Sequence, residues 1–187
     1  TLIATVLGTM VAFALARHRF RGRTVTNLTI FLPMATPEVV LGASLLALFL
    51  NLGMQLGTTT IVIAHVMFCI SFVVVTVKAR LASLDPRLEQ AAMDLYANEL
   101  QTFRKVTLPL ALPGILSGAL LAFSLSFDDF IITNFNSGAV NTFPKFVWIS
   151  SLRGVPAQAN VIASAMFFLA LAAVVLAQLV SGRRKTV

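Results

Sequence analysis

The sequence predicts an all-α membrane protein, a polytopic helical bundle, and three observations carry that reading. Apolar residues make up 58% of the 187-residue chain and charged residues only 11%, a balance that leaves a soluble domain too little polar surface to hide its apolar content. Apolar runs over 1–16, 28–50, 58–77, 113–135 and 160–180 approach the roughly 20 residues that a helix needs to cross a bilayer. Lys and Arg gather on alternate connections between these runs, the pattern that sets orientation in a membrane.

The first run, 1–16, is short and opens on Thr1, so a sixth spanning helix is expected upstream. Arg17, Arg19, Arg21 and Arg23 follow it and mark a cytoplasmic connection. The second run, 28–50, contains Pro33, Pro37 and Glu38. Prolines interrupt the helical backbone ladder, and an acid beside the break suggests a hinge, a cavity or a structural hydrogen bond to a neighbouring helix. The uncharged connection 51–57 falls outside. In the third run, 58–77, His65 and Cys69 share one helical face. His65 reads as a helix-to-helix hydrogen-bonding group or a buried functional one. Cys69, the single cysteine, excludes an internal disulfide and reads as a small packed side chain.

Lys78, Arg80, Arg87, Arg104 and Lys105 mark the second cytoplasmic connection, and Arg183, Arg184 and Lys185 a cytoplasmic C-terminus. Only Lys145 and Arg153, of the 14 Lys and Arg residues, fall on the opposite side. The net charge of +7 is thereby a matter of topology and calls for no nucleic-acid partner.

Within the cytoplasmic loop 83–109, Ser83-Leu84-Asp85-Pro86 is a helix-start signal, with Asp85 placed to cap free amides and Pro86 suited to the first turn. The spacing predicts a short helix over 87–95. Leu88, Ala91, Ala92 and Leu95 form its apolar face toward the membrane, and Arg87, Glu89, Gln90 and Asp94 its polar flanks toward a partner. A second short helix is expected from Asn98 or Glu99 to Val106, stopped by Pro109, with a bend near Tyr96-Ala97.

The fourth run ends on two acids. Adjacent residues point about 100° apart on a helix, so Ser126, Asp129, Thr133 and Asn136 make one polar stripe above Ala119 and Ala122, while Asp128 falls on another face. Asp129 is expected to face a transport path and Asp128 to anchor the helix end. Phe123, Phe127 and Phe130 belong against lipid or another helix. In the external connection a helix over about 142–153, carrying Trp148, reads as an interfacial helix or as a lid.

The words Gln90-Ala91-Ala92-Met93-Asp94-Leu95-Tyr96 and, nine residues on, Val106-Thr107-Leu108-Pro109 resemble the coupling loop of ABC-importer permeases. That loop reads Glu-Ala-Ala, three residues, Gly, nine residues, a branched apolar residue, any residue, Leu-Pro. Ala97, Phe103, Pro113, Gly114 and Gly118 extend the agreement. Two positions depart: Gln90 stands for Glu, although Glu89 is adjacent, and Tyr96 stands for Gly. A glycine there permits a left-handed backbone that tyrosine adopts only with strain, so the bend is made differently or Ala97 and Asn98 absorb it.

Within the family, Pro37-Glu38-Val39-Val40, Phe72-Val73-Val74-Val75-Thr76-Val77 and Ser126-Phe127-Asp128-Asp129 look most like the second permease subunit of polyamine importers. The resemblance implies the type I ABC-importer permease fold and half of a translocation pathway for spermidine or putrescine, in a bacterial inner membrane. It implies ATPase coupling through Glu89, Gln90, Ala91, Ala92, Asp94, Leu95, Tyr96 and Pro109. Asp129, Asp128, Glu38, Ser126, Thr133 and Trp148 would line the pathway. The implied partners are a second permease subunit, identical or not, two ATP-binding subunits and an external substrate-binding protein. This chain would bind no cofactor and no metal, with ATP and Mg on the partner ATPase. It contains no nucleotide-binding glycine loop, metal-ligand cluster or nucleophile with a base. The competing readings are an importer of ferric ion, sulfate or an amino-acid derivative, an ion-coupled secondary carrier, and a structural membrane subunit.

Overall fold

The computed structural model describes residues 1–18, 20–154 and 157–182, and every regular element among them is helical. Arg19, Arg183, Arg184 and Lys185, used above to set orientation, lie outside the described residues. A first unit, Thr1–Asn141, contains α1 (Leu2–Arg17), α2 (Arg23–Ala35), α3 (Glu38–Asn51), α4 (Thr58–Ala82), α5 (Arg87–Asp94), α6 (Glu99–Thr102), a π-helical segment Phe103–Thr107, α7 (Leu108–Asp128) and α8 (Ile131–Asn136). A second unit, Thr142–Val187, contains α9 (Phe143–Arg153) and α10 (Ala157–Gly182).

Helix α4 is the centre of the first unit, packed against α1, α2, α7 and α8. The helices that meet it bury stripes of small residues: Ala4, Gly8 and Ala12 on α1, and Ala111, Gly114, Gly118 and Ala122 on α7. In a membrane, where lipid is as apolar as leucine, such small residues allow the backbone approach that van der Waals packing needs. A methyl added at Gly8 would lie 2.8 Å from Val73 Cβ, and one added at Gly114 would lie 2.4 Å from Arg80 Cβ. At Gly118 the nearest atom, Val73 Cα, is 3.5 Å away, an ordinary contact.

The run 28–50 is two helices, bent by 108° at a short break. Pro37 disfavours helical geometry at the residue before it, and Thr36 is extended with φ −84° and ψ 132°. At 99–128 the structure departs the other way. Pro109 does not end a helix: α6, the π segment and α7 run on as one 30-residue helix, Glu99–Asp128. A proline ring clashes with the carbonyl four residues back in a regular α-turn. Here the preceding turn is widened, and the Leu108 amide bonds to the carbonyl of Phe103, five residues back, which shifts the ladder by one residue ahead of the ring.

Among the described residues, Thr58–Ala82 and Glu99–Asp128 are each long and apolar enough to cross a membrane, and the bent pair makes a third span if taken as one. Helix α7 ends where Asp129 turns extended, at φ −63° and ψ 118°.

Gly8→Ala and Gly114→Ala should each destabilise the protein by about 1–3 kcal/mol, the usual range for overpacking, and Gly118→Ala should be close to neutral. Unfolding of the purified protein in mixed detergent micelles would rank the three; equal effects would contradict this packing.

Candidate functional site

Asp85 Oδ1 accepts the Arg87 amide at 2.9 Å, Pro86 supplies the first turn, and α5 follows. Glu89 then turns inward. Both terminal nitrogens of Arg17, the last residue of α1, donate to its two carboxylate oxygens. The Thr107 hydroxyl donates to Oε1 at 2.6 Å. One carboxylate therefore ties α1, α5 and the π segment together. Burial works to raise the Glu89 pKa, but the hydrogen bonds from Arg17 and Thr107 and the Arg17 charge outweigh it and hold the carboxyl below its ordinary value.

Glu89 thereby leaves the outward polar flank expected of it, while Arg87, Gln90 and Asp94 stay exposed on that flank. The Glu89 side chain is 18% exposed, whereas Leu88 is 46% and Leu95 81% exposed. An acid with a bidentate cation and a hydroxyl has more to gain inside than an apolar side chain with no cavity to fill. Gln90, Ala91 and Asp94 are exposed, and Ala92 is half-buried. With Met93 and Leu100, also exposed, the outward surface of the loop sets apolar side chains among the exposed Arg87, Gln90, Asp94, Glu99 and Gln101.

Tyr96 makes the bend itself. It is the non-glycine residue with positive φ, at 63°, among the described residues. The Tyr96 amide bonds to the Met93 carbonyl at 3.0 Å and the Ala97 amide to the Ala92 carbonyl at 3.2 Å, the paired bonds of a Schellman helix end. Ala97 and Asn98 do not take over the left-handed position. Asn98 instead starts the next helix. Its Oδ1 accepts the Gln101 amide at 2.8 Å, and its own amide donates to Gln101 Oε1 at 3.1 Å, a reciprocal capping box. The Tyr96 side chain is 99% exposed.

The second candidate cluster lies at the α7–α8 break. The stripe Ser126, Asp129, Thr133 and Asn136 is brought together, and it faces inward onto α4. His65 Nδ1 is 2.9 Å from Ser126 Oγ, and Nε2 is 2.8 Å from Thr133 Oγ1 and 3.4 Å from Asp129 Oδ2. The Thr133 hydroxyl lies 3.0 Å from Asp129 Oδ2, so it bridges the imidazole and the carboxylate. Asp129 also accepts the amides of Ile132 at 3.2 Å and Thr133 at 2.8 Å. It thereby anchors the start of α8. Asn136 Nδ2 donates to the Gly42 carbonyl at 3.2 Å and to that of Ile132 at 2.9 Å, and Thr60 Oγ1 donates to the Asn136 carbonyl at 2.7 Å. The cluster joins α3, α4, α7 and α8.

The anchoring part expected of Asp128 falls to Asp129, which is buried and holds the start of α8, while Asp128 is exposed. Glu38 is exposed in the first turn of α3, where the positive end of the helix dipole favours an acid. Trp148 belongs to α9 in the second unit and is exposed, with its carbonyl accepting the Ser151 hydroxyl at 2.7 Å. No group of three or more His, Cys, Asp or Glu able to hold a metal ion occurs among the described residues. Arg17 and Thr60 escaped the sequence reading. Arg17 carried only the signal of a basic loop, and Thr60 none beyond its place in an apolar run.

Residues 4–185 match the family model described as binding-protein-dependent transport system inner membrane component. The chain is 42% identical over 182 residues to the spermidine/putrescine transport system permease protein PotC of Haemophilus influenzae, covering 97% of this chain and 71% of that protein. It is 40% identical over 184 residues to PotC of Escherichia coli K12, covering 98% and 69%. The putrescine transport system permease protein PotI of the same strain is 43% identical over 169 residues, covering 86% and 60%.

Because its native pKa is lowered, Glu89 contributes its full stabilisation above the ordinary glutamate value of about 4.3 and loses it as pH falls through the native value. Glu89→Gln should abolish that acid-side loss in a pH series of unfolding. A double-mutant cycle with Arg17→Ala should give a coupling of about 1 kcal/mol, modest because Arg17 is 39% exposed. Tyr96→Gly should stabilise the loop by about 1 kcal/mol, since it relieves the left-handed backbone and removes no buried contact. Hydrogen exchange of the 92–98 amides would measure it, and faster exchange would contradict the assignment.

Proposed function

This chain belongs to the binding-protein-dependent transport system inner membrane component family, and on that premise we propose that it is the permease subunit of an ATP-driven polyamine importer. Spermidine and putrescine are the solutes its PotC relatives are named for, and PotI is named for putrescine. ATP hydrolysis belongs to partner subunits. Two of these, a second permease and an external binding protein complete the machine. The five apolar runs span the inner membrane, with the loop 83–109 and the C-terminus in the cytoplasm. The Lys and Arg distribution supports that topology.

One observation carries the coupling. The apolar surface of Leu88, Met93, Leu95, Tyr96 and Leu100 is exposed at the foot of a helix that runs unbroken from Glu99 to Asp128. At 1.5 Å per residue that helix is about 45 Å long. A partner that docks on this surface and moves displaces a rigid lever. The far end of the lever is the break at Asp129, and the Glu89–Arg17 link shares the displacement with α1.

In the pathway the exposed acids Asp128 and Glu38 are free to meet a protonated amine, and the low dielectric of a passage strengthens such a pair relative to water. Asp129, Ser126 and Thr133 are spent on His65 and on α8, so their part in this conformation is to hold the break in shape.

In the reconstituted complex, ATP-dependent uptake of labelled spermidine and putrescine should exceed that of ferric ion, sulfate and amino acids. Replacing Leu95 and Tyr96 by Ser should reduce it at least tenfold with the complex still assembled. Asp128→Asn should raise KM, whereas Asp129→Asn should chiefly lower kcat. Uptake that proceeds on an ion gradient without the ATPase, or unchanged uptake in the Leu95/Tyr96 variant, would overturn the proposal.

A further inference from the structure

Between α2 and α4 lies a partly open cavity of about 270 Å³, whose walls include Asn27, Ile30, Phe31, Val74, Val75 and Lys78. It is graded in polarity along its length. On α2, Arg23, Asn27 and Ile30 follow one another at four and three residues, the spacing of a single helical face, so that charge gives way to an amide and then to hydrocarbon. On α4, Val74 precedes Lys78 by one turn in the opposite chain direction. Both helices therefore carry their basic residues toward one end, with Arg23 one turn beyond the lining and Ala79 and Ala82 the small walls there, and their branched and aromatic residues toward the other.

Lys78 Nζ donates to Asn27 Oδ1 at 2.7 Å. That bond uses one of three ammonium protons and leaves the charge uncompensated. Neither the Arg17–Glu89 pair nor the His65–Asp129 pair involves Lys78 or Arg23, and no acid lines the cavity. A half-buried cation with apolar walls calls for an anion that brings hydrocarbon with it.

We infer that this groove is a binding site for one anionic phospholipid, its phosphate on Lys78 and Asn27 and an acyl chain along Ile30, Phe31, Val74 and Val75. The positive end of the groove lies at the cytoplasmic edge of the bilayer on the topology proposed above, where anionic headgroups concentrate and basic pockets between spanning helices hold them. A polyamine is repelled by the same charge, so the site is separate from the solute pathway. Free phosphate leaves the apolar walls unfilled.

The test is native mass spectrometry of the assembled transporter, washed in detergent and challenged with phosphatidylglycerol or phosphatidylcholine. The wild type should retain phosphatidylglycerol in preference, Lys78→Gln should lose that retention at least fivefold, and Lys78→Arg should keep it. Val75→Trp, which fills the apolar wall and spares the charge, should lose it as well. A photoreactive residue at Phe31 should label lipid. Retention unchanged in both Lys78→Gln and Val75→Trp, displacement by millimolar inorganic phosphate, or labelling of a protein partner from Phe31 would each overturn the site. Arg21→Cys, probed with an impermeant maleimide from either side of the membrane, reads the topology separately. Labelling from outside would refute the orientation while leaving the lipid result standing.

Discussion

The first unit depends on how closely two helices can approach a third in a solvent that offers no hydrophobic drive between them. Gly8 and Gly118 bring α1 and α7 onto Val73, and Gly114 gives the Arg80 stem a surface with no side chain to displace. With lipid tails as the alternative environment, packing of this density and interhelical hydrogen bonds are the available sources of cohesion. The Arg80 Nε bond to the Leu110 carbonyl at 2.9 Å lies in the same region, so close approach and polar bonding reinforce each other there.

Two polar knots then sit at opposite ends of the helix Glu99–Asp128. At one end Glu89 gathers Arg17 and Thr107. At the other His65 gathers Ser126, Asp129 and Thr133, and Asn136 extends the knot to Gly42. Each knot closes over a backbone irregularity, the π segment in the first case and the α7–α8 break in the second. Irregular backbone in a bilayer is tolerated where protein groups satisfy it. The knots thus offset the cost of the irregularities.

Much of this was legible in the sequence wherever the information was local. The Asp85-Pro86 start, the apolar runs and the grouping of Ser126, Asp129, Thr133 and Asn136 follow from spacing along one helix. Tyr96 was legible as a conflict, a bulky residue where the pattern wants glycine, and the strain was indeed retained at that residue. Long-range partnerships were not legible. Nothing near Glu89 announces Arg17, 72 positions away, and without that partner Glu89 reads as one more residue of the outward polar flank. Likewise, helical phase groups Asp129 with Ser126 and Thr133 but does not contain the extended backbone at Asp129 that lets its carboxylate accept the Ile132 and Thr133 amides.

The widened turn at Phe103–Thr107 is in effect a phase shifter. One residue added to a helix rotates everything beyond it by about 100° and lengthens it by only 1.5 Å. The azimuth of α6, and with it the heading of the docking surface, is therefore set relative to Asp129 almost independently of how far apart the two ends stand. Reach and heading, which a plain α-helix locks together, are separately adjustable in this lever.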